Sequence, residues 1–175
     1  MRPQTQPKPY VLPDALPNGL RAVICGTAAG TVSAARGHYY AGPGNRFWAV
    51  LHQTGLTPRE LSPSEFRSLC DHGLGLTDIA KLVPGADVTL KAGNFNVSGF
   101  IESIRQCQPE VVAFNGKKAA RVFYGLGERE PLEYGPGKPL TDFPKIFVLP
   151  STSGSARRYW DLQPWQQFAR LLHEH

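Results

Sequence analysis

Three short apolar runs, each closed by a turn-forming residue, most constrain what this chain can fold into. Arg21-Ala22-Val23-Ile24-Cys25 ends at Gly26, Val111-Val112-Ala113-Phe114 at Asn115-Gly116, and Lys145-Ile146-Phe147-Val148-Leu149 at Pro150. Each reads as a buried strand. Helical patterns stand between them. Asn45 can cap a helix in which Phe47, Val50 and Leu51 recur at helical spacing. Ser62-Pro63-Ser64-Glu65 opens another, with proline in its first turn and Phe66, Leu69 and Cys70 inward. Ser98 to Gln106 is amphipathic through Phe100, Ile101 and Ile104, and Pro109 stops it. Lys117 to Tyr124 and Trp160 to His173 complete the set. Leu74-Gly75-Leu76-Thr77-Asp78 reads as a short element leading into a loop, and 131–144 as a glycine- and proline-rich loop with one edge strand.

Strands alternating with helices imply an α/β fold: a three-layer α/β/α sandwich around a central, mainly parallel sheet of about four or five strands. Ligands in such folds bind at the carboxyl ends of strands, near a switch in strand order. The loops after Cys25 and Leu149 are therefore where a site is expected.

The 175 residues suit one domain, taken as 18–175 after a loosely ordered, proline-rich lead-in at 1–17. No apolar run approaches the roughly 18 residues of a membrane span, and the residues after Met1 have no apolar core of a secretory signal. A cytoplasmic protein without a membrane partner is expected, nucleoid-associated if bacterial. The net charge of +5 agrees with a polyanionic partner without requiring one. Cys25, Cys70 and Cys107 are widely spaced, with no CxxC pair, so neither a disulfide framework nor a metal site is expected.

Two glycine-rich turns and two aromatic segments carry the candidate chemistry. Gly26-Thr27-Ala28-Ala29-Gly30 lets backbone amides approach a ligand, or is simply a strand-to-loop turn. It lacks the nucleotide-binding glycine patterns. Tyr39-Tyr40 precedes Gly42-Pro43-Gly44-Asn45-Arg46-Phe47-Trp48, and Tyr40 either packs on the domain or faces a ligand. Pro150-Ser151-Thr152-Ser153-Gly154-Ser155-Ala156-Arg157 is a helix-capping loop or a contact loop. Lys117, Lys118 and Arg157 are phosphate contacts or solvated charges, and His38 is open to the same two readings.

The Asn45-Arg46-Phe47-Trp48 stretch and the Ser153-Gly154-Ser155-Ala156-Arg157 loop, in that order, resemble the uracil-DNA glycosylase superfamily, in particular its mismatch-specific uracil/thymine-DNA glycosylase (MUG/TDG) branch. The resemblance spans about residues 10–172 and includes Val111 to Gly116 followed by Lys117-Lys118-Ala119. It implies a monomeric, cofactor-free enzyme that binds double-stranded DNA with a G·U or G·T mismatch. It implies stacking of the flipped base on Tyr40, backbone contacts to its edge at Thr27 and Ala28, a pocket wall at Asn45, and Ser33 beside uracil C5. It makes 153–157 the loop that enters the duplex, with Gly154, Ser155 and Arg157 filling the vacated space. Three cysteines fall short of the four ligands an iron–sulfur branch needs.

Two departures matter. Ser155 stands where a bulkier apolar wedge is usual, which weakens the expected dependence on the opposite guanine. The family's first motif reads Gly-x-Asn-Pro-Gly, its asparagine positioning the hydrolytic water, whereas this chain has a methyl group at Ala28. Alanine cannot orient water. Gly75-Leu76-Thr77-Asp78 matches the family's Gly-[Ile/Val]-Thr-x segment, so Asp78 is the candidate catalytic group, with Asp87 behind it; the plain alternative for Asp78 is an exposed helix cap. A non-catalytic DNA-damage binding module is the rival that Ala28 favours. A small-molecule hydrolase lacks a Gly-x-Ser-x-Gly elbow.

Overall fold

The apolar runs pair as neighbours in one sheet. The computed structural model describes residues 9–174. Strands β1 (Ala22–Ala28), β2 (Leu74–Ala80), β3 (Val111–Asn115), β4 (Gly135–Pro136) and β5 (Lys145–Leu149) lie in the order β2-β1-β3-β5-β4. All pairs are parallel except β4 with β5. Helices α1 (Thr31–Arg36), α2 (Phe47–Gln53), α3 (Val97–Cys107), α4 (Lys117–Tyr124) and α5 (Gln163–His173) connect or follow them.

Side chains alternate across the sheet and build two cores. Ile24, Leu76, Ala113, Phe147 and Leu149 pack with Phe47 of α2, Trp165 and Phe168 of α5, and Phe66 and Leu69 of a 3₁₀-helix at Pro63–His72. Val23, Cys25, Phe114 and Val148 pack on the other side with Phe100 and Ile104 of α3 and with Ala119, Ala120 and Phe123 of α4. Each large side chain buried this way contributes roughly 1.5–3 kcal/mol. The three-layer fold expected from the sequence is the one present.

Besides α1, which the sequence reading leaves as turn and loop, the chain departs from that reading at three places. Leu74–Ala80 is a fully buried strand rather than a short element leading into a loop. Its outer edge is covered by the segment from Val11 to Ala15: Val11 N–H donates to Lys81 O at 2.7 Å, and Ala15 and Leu76 exchange backbone bonds at 3.0 Å. The stretch through Pro17, read as a loose lead-in, is thus docked from Val11 onward, with Leu12 and Ala15 buried; residues 1–8 of that reading lie outside the described residues. The last helix begins at Gln163, not Trp160, because Gly154–Tyr159 winds into its own 3₁₀-turn and Pro164 occupies the first turn of α5. Asp161 stands just before the helix cap at Leu162 and accepts from Gln163 N–H at 2.9 Å.

Strand order reverses direction between β1 and β3. The ladder between them stops at Cys25 and Phe114, while β1 runs on to Ala28. The strand ends part there, Gly26–Ala28 on one side and Asn115–Gly116 on the other, and in folds of this kind that switch-point crevice is where ligands bind.

Candidate active site

The crevice is roofed by the loop between α1 and α2, and that loop is held rigidly. Ser33 Oγ accepts the Ala41 N–H at 2.9 Å, and Trp48 Nε1–H donates to Tyr39 O at 3.2 Å. Asn45 Oδ1 accepts the Phe47 N–H at 3.0 Å, but the N-cap of α2 is Arg46, so Asn45 forms a turn just before the helix rather than the cap expected of it. Tyr40 is thereby fixed at φ 52°, a left-handed conformation that costs a non-glycine residue about 1–2 kcal/mol. One face of its ring stacks on Phe47, centroids 4.0 Å apart and planes 28° from parallel. The ring is only partly buried, but its hydroxyl is fully so and has no hydrogen-bond partner.

Beneath Tyr40 lies Asp78. Asp78 is paired with Gly26 across β1 and β2, and a side chain at Gly26 would collide with Asp78 Oδ1 and come within 3.1 Å of Tyr40 Oη. The absent Cβ is what allows carboxyl and phenol to converge. Asp78 is 6% exposed, which excludes the helix-cap reading. Burial pushes its carboxyl up to about 7; Lys81 opposes the rise, and Asp14 and Asp87 reinforce it. Among the described residues no protein donor is hydrogen-bonded to that carboxyl. Burial, then Asp78, also holds the Tyr40 phenol well above its ordinary value, with the Asn115 side chain beside it acting in the opposite direction.

Lys81 does not reach across to neutralise Asp78, because it is committed elsewhere. Its ammonium donates to Asp14 Oδ1 at 2.7 Å and to Thr77 Oγ1, and Thr77 donates to the same Asp14 oxygen at 2.8 Å. Asp14 enters through the docked amino-terminal segment, so that segment belongs to the electrostatics of the site.

The carboxyl end of β5 joins the crevice through Thr152. Asn115 Nδ2–H donates to Thr152 Oγ1 at 3.0 Å, and Thr152 N–H returns to Asn115 Oδ1 at 3.1 Å. Arg46 N–H donates to Thr152 O at 2.9 Å, tying the loop before α2 to the loop after β5. Backbones meet closely here: a Cβ on Gly154 would lie 2.9 Å from Pro43 O, and one on Gly44 3.1 Å from Arg157 Nη2.

A family model for the uracil DNA glycosylase superfamily matches residues 13–173. The chain belongs to that superfamily. Its fold is also that of a uracil DNA glycosylase candidate from Methanosarcina acetivorans known by solution NMR, at a TM-score of 0.66 and 22% identity over 96% of this chain and 99% of that one. Membership supports a DNA glycosylase, a hydrolase of the bond between base and deoxyribose.

In this superfamily member, Thr27, Ala28, Tyr40, Asn45, Asp78 and the 153–157 loop gather at one rim of the sheet. Ala28 pairs with Ala80, so its methyl group stands two residues, about 6–7 Å, beyond Asp78 along the strands. Ser33 is buried behind the Tyr40 loop with its hydroxyl on Ala41. Lys117 sits over the Tyr134 ring at 4.4 Å, whereas Lys118 turns to Glu128 at 3.7 Å and lies near Asp87. Asp87 is linked to the Thr27 hydroxyl, on the α4 side of the sheet, away from Tyr40. His38 packs against Phe66, ring centroids 6.3 Å apart. Asn115 is the site residue that sequence reasoning missed: Asn-Gly after a strand reads as a turn, and nothing local shows that its amide is buried against Thr152. Among the described residues, no group of three or more His, Cys, Asp or Glu could hold a metal ion.

Proposed function

We propose that this superfamily member is a mismatch-specific uracil-DNA glycosylase of the MUG/TDG type, acting as a monomer on duplex DNA with G·U or G·T mismatches and requiring no cofactor. The observation that carries the reading is the convergence of the Tyr40 ring and the Asp78 carboxyl over Gly26, in the crevice where strand order switches. Such a constellation suits a flat, uncharged base and a reaction that develops positive charge on a sugar.

In this mechanism the basic surface and the 153–157 loop engage the duplex, and the uracil nucleotide swings into the crevice at a cost of a few kcal/mol, least at a mismatch. The base stacks on the face of Tyr40 not covered by Phe47, a contact worth roughly 1–3 kcal/mol. Backbone groups of Thr27 and Ala28 meet its edge, Ser33 and Asn45 hold the wall in place, and Asn115 ties the wall to the loop that enters the duplex. The C1′–N1 bond breaks with its electron pair passing to uracil, leaving positive charge on the sugar. Asp78 stabilises that charge. Water adds at C1′ and gives its proton to the Asp78 carboxylate, replacing the asparagine absent at Ala28. A group held near 7 is ionised often enough at neutral pH to act as base and basic enough to accept the proton.

Ala28 favours a second reading, a damage-binding module without turnover. Incubation with a G·U duplex followed by alkali separates the two. Strand scission at the uracil supports the enzyme, and tight binding without scission supports the module.

A further inference from the structure

A stripe of aromatic and basic side chains continues from the crevice across the turn after β5; Tyr134 packs partly against the core beneath it, while Arg158 and Tyr159 are exposed. Tyr159 ends the 3₁₀-turn that begins at Gly154 and is 66% exposed. Among the described residues its ring stacks on no other aromatic ring and its hydroxyl makes no hydrogen bond. Only the Arg158 guanidinium lies over it, 5.9 Å from the ring centroid, which leaves the other face open. Tyr134, close to Tyr159, carries the Lys117 ammonium over its own ring at 4.4 Å. Asp161 borders Tyr134, but its carboxylate is turned to the α5 amino terminus. Arg157, also exposed, leans on Gly44 at the mouth of the crevice.

We propose that Lys117, Tyr134, Arg158 and Tyr159 form a contact surface for the DNA strand flanking the extruded nucleotide, with Tyr159 stacking on an unpaired or partly unstacked base. Charge and ring type both fit a nucleic-acid strand: cations meet phosphates, and an aromatic ring accepts the π-face of any base. The distance fits as well. A 3₁₀-turn rises about 2 Å per residue, so Tyr159 lies at most about 10 Å from Gly154, roughly three base steps of 3.4 Å. The inference rests on the glycosylase reading and adds to it a contact for the strand beside the extruded nucleotide.

The test is fluorescence anisotropy with a duplex carrying a tetrahydrofuran abasic site, using full-length protein. Tyr159→Ala should weaken binding by about tenfold or more, and Tyr159→Phe should stay within about twofold of wild type. Arg158→Gln should weaken binding and lower the salt dependence by about one phosphate contact. Both side chains are exposed, so thermal midpoints should not move. Tyr159→Ala binding within twofold of wild type would overturn the proposal. Uracil excision by the wild type in the same preparations reports separately on the glycosylase reading, so the two can fail independently.

Discussion

Asp78 and Gly26 face each other across β1 and β2, and the carboxyl of one occupies the space where the other would carry a Cβ. Gly26 has no positive φ to explain it; close approach is what the position requires. Gly26→Ala should therefore destabilise the protein by roughly 1–3 kcal/mol, the usual cost of overpacking. It should also displace Tyr40 or Asp78 and lower excision. Urea unfolding at pH 7 checks the first effect.

The raised carboxyl of Asp78 has a sign that can be worked out. Its ordinary value of 3.8 applies to the unfolded chain and about 7 to the folded one, so between those values the unfolded state sheds a proton the folded state retains. Stability from this group is intact below about pH 4, falls as pH rises and levels off above about 7. Asp78→Asn should be more stable than wild type at pH 8 by up to about 4 kcal/mol, the difference shrinking toward pH 4. Thermal midpoints across that range give the curve, and parallel curves for the two proteins would contradict the shift.

Tyr40 carries a buried hydroxyl with no partner, while its ring stacks on Phe47. Removing only the hydroxyl should relieve a desolvated polar group, so Tyr40→Phe should be as stable as wild type or up to about 1 kcal/mol more so. Excision retained in Tyr40→Phe and lost in Tyr40→Ala would assign the function to the ring. Loss in both would place it on the hydroxyl.

The reciprocal bonds between Asn115 and Thr152 are the clearest coupling in the site. Asn115→Ala strands the Thr152 N–H and should cost about 1–3 kcal/mol. A double-mutant cycle with Thr152→Ala should show a coupling of about 0.5 kcal/mol or more, and additive effects would show that the two residues act separately.

What the sequence disclosed, and what it concealed, follows from how local each signal is. The runs ending at Cys25, Phe114 and Leu149 are continuous and apolar, so their strands and the parallel sheet were legible. Helix α4 was legible too, because Gly116 and Gly125 bracket it. Strand β2 was not: Gly75, Thr77 and Asp78 interrupt its apolar pattern, and its burial depends on long-range packing in both cores and on a distant segment, Val11–Ala15, that covers its edge. Between residues 9 and 17 the prolines mask the apolar signal of Leu12 and Ala15, both buried in the structure. Asp78 could be chosen as a candidate by resemblance, but its burial depends on β2 being a strand. Asn115 gave no local signal, as its partner lies 37 residues away.

Single-turnover excision of uracil from a G·U duplex, followed from pH 5 to pH 9 for wild type and Asp78→Asn, tests the central claim most directly. The wild-type rate constant should climb with pH and level off above about 7, while Asp78→Asn is at least roughly tenfold slower and loses that rise. Equal rates and the same pH profile in both proteins would contradict a catalytic Asp78.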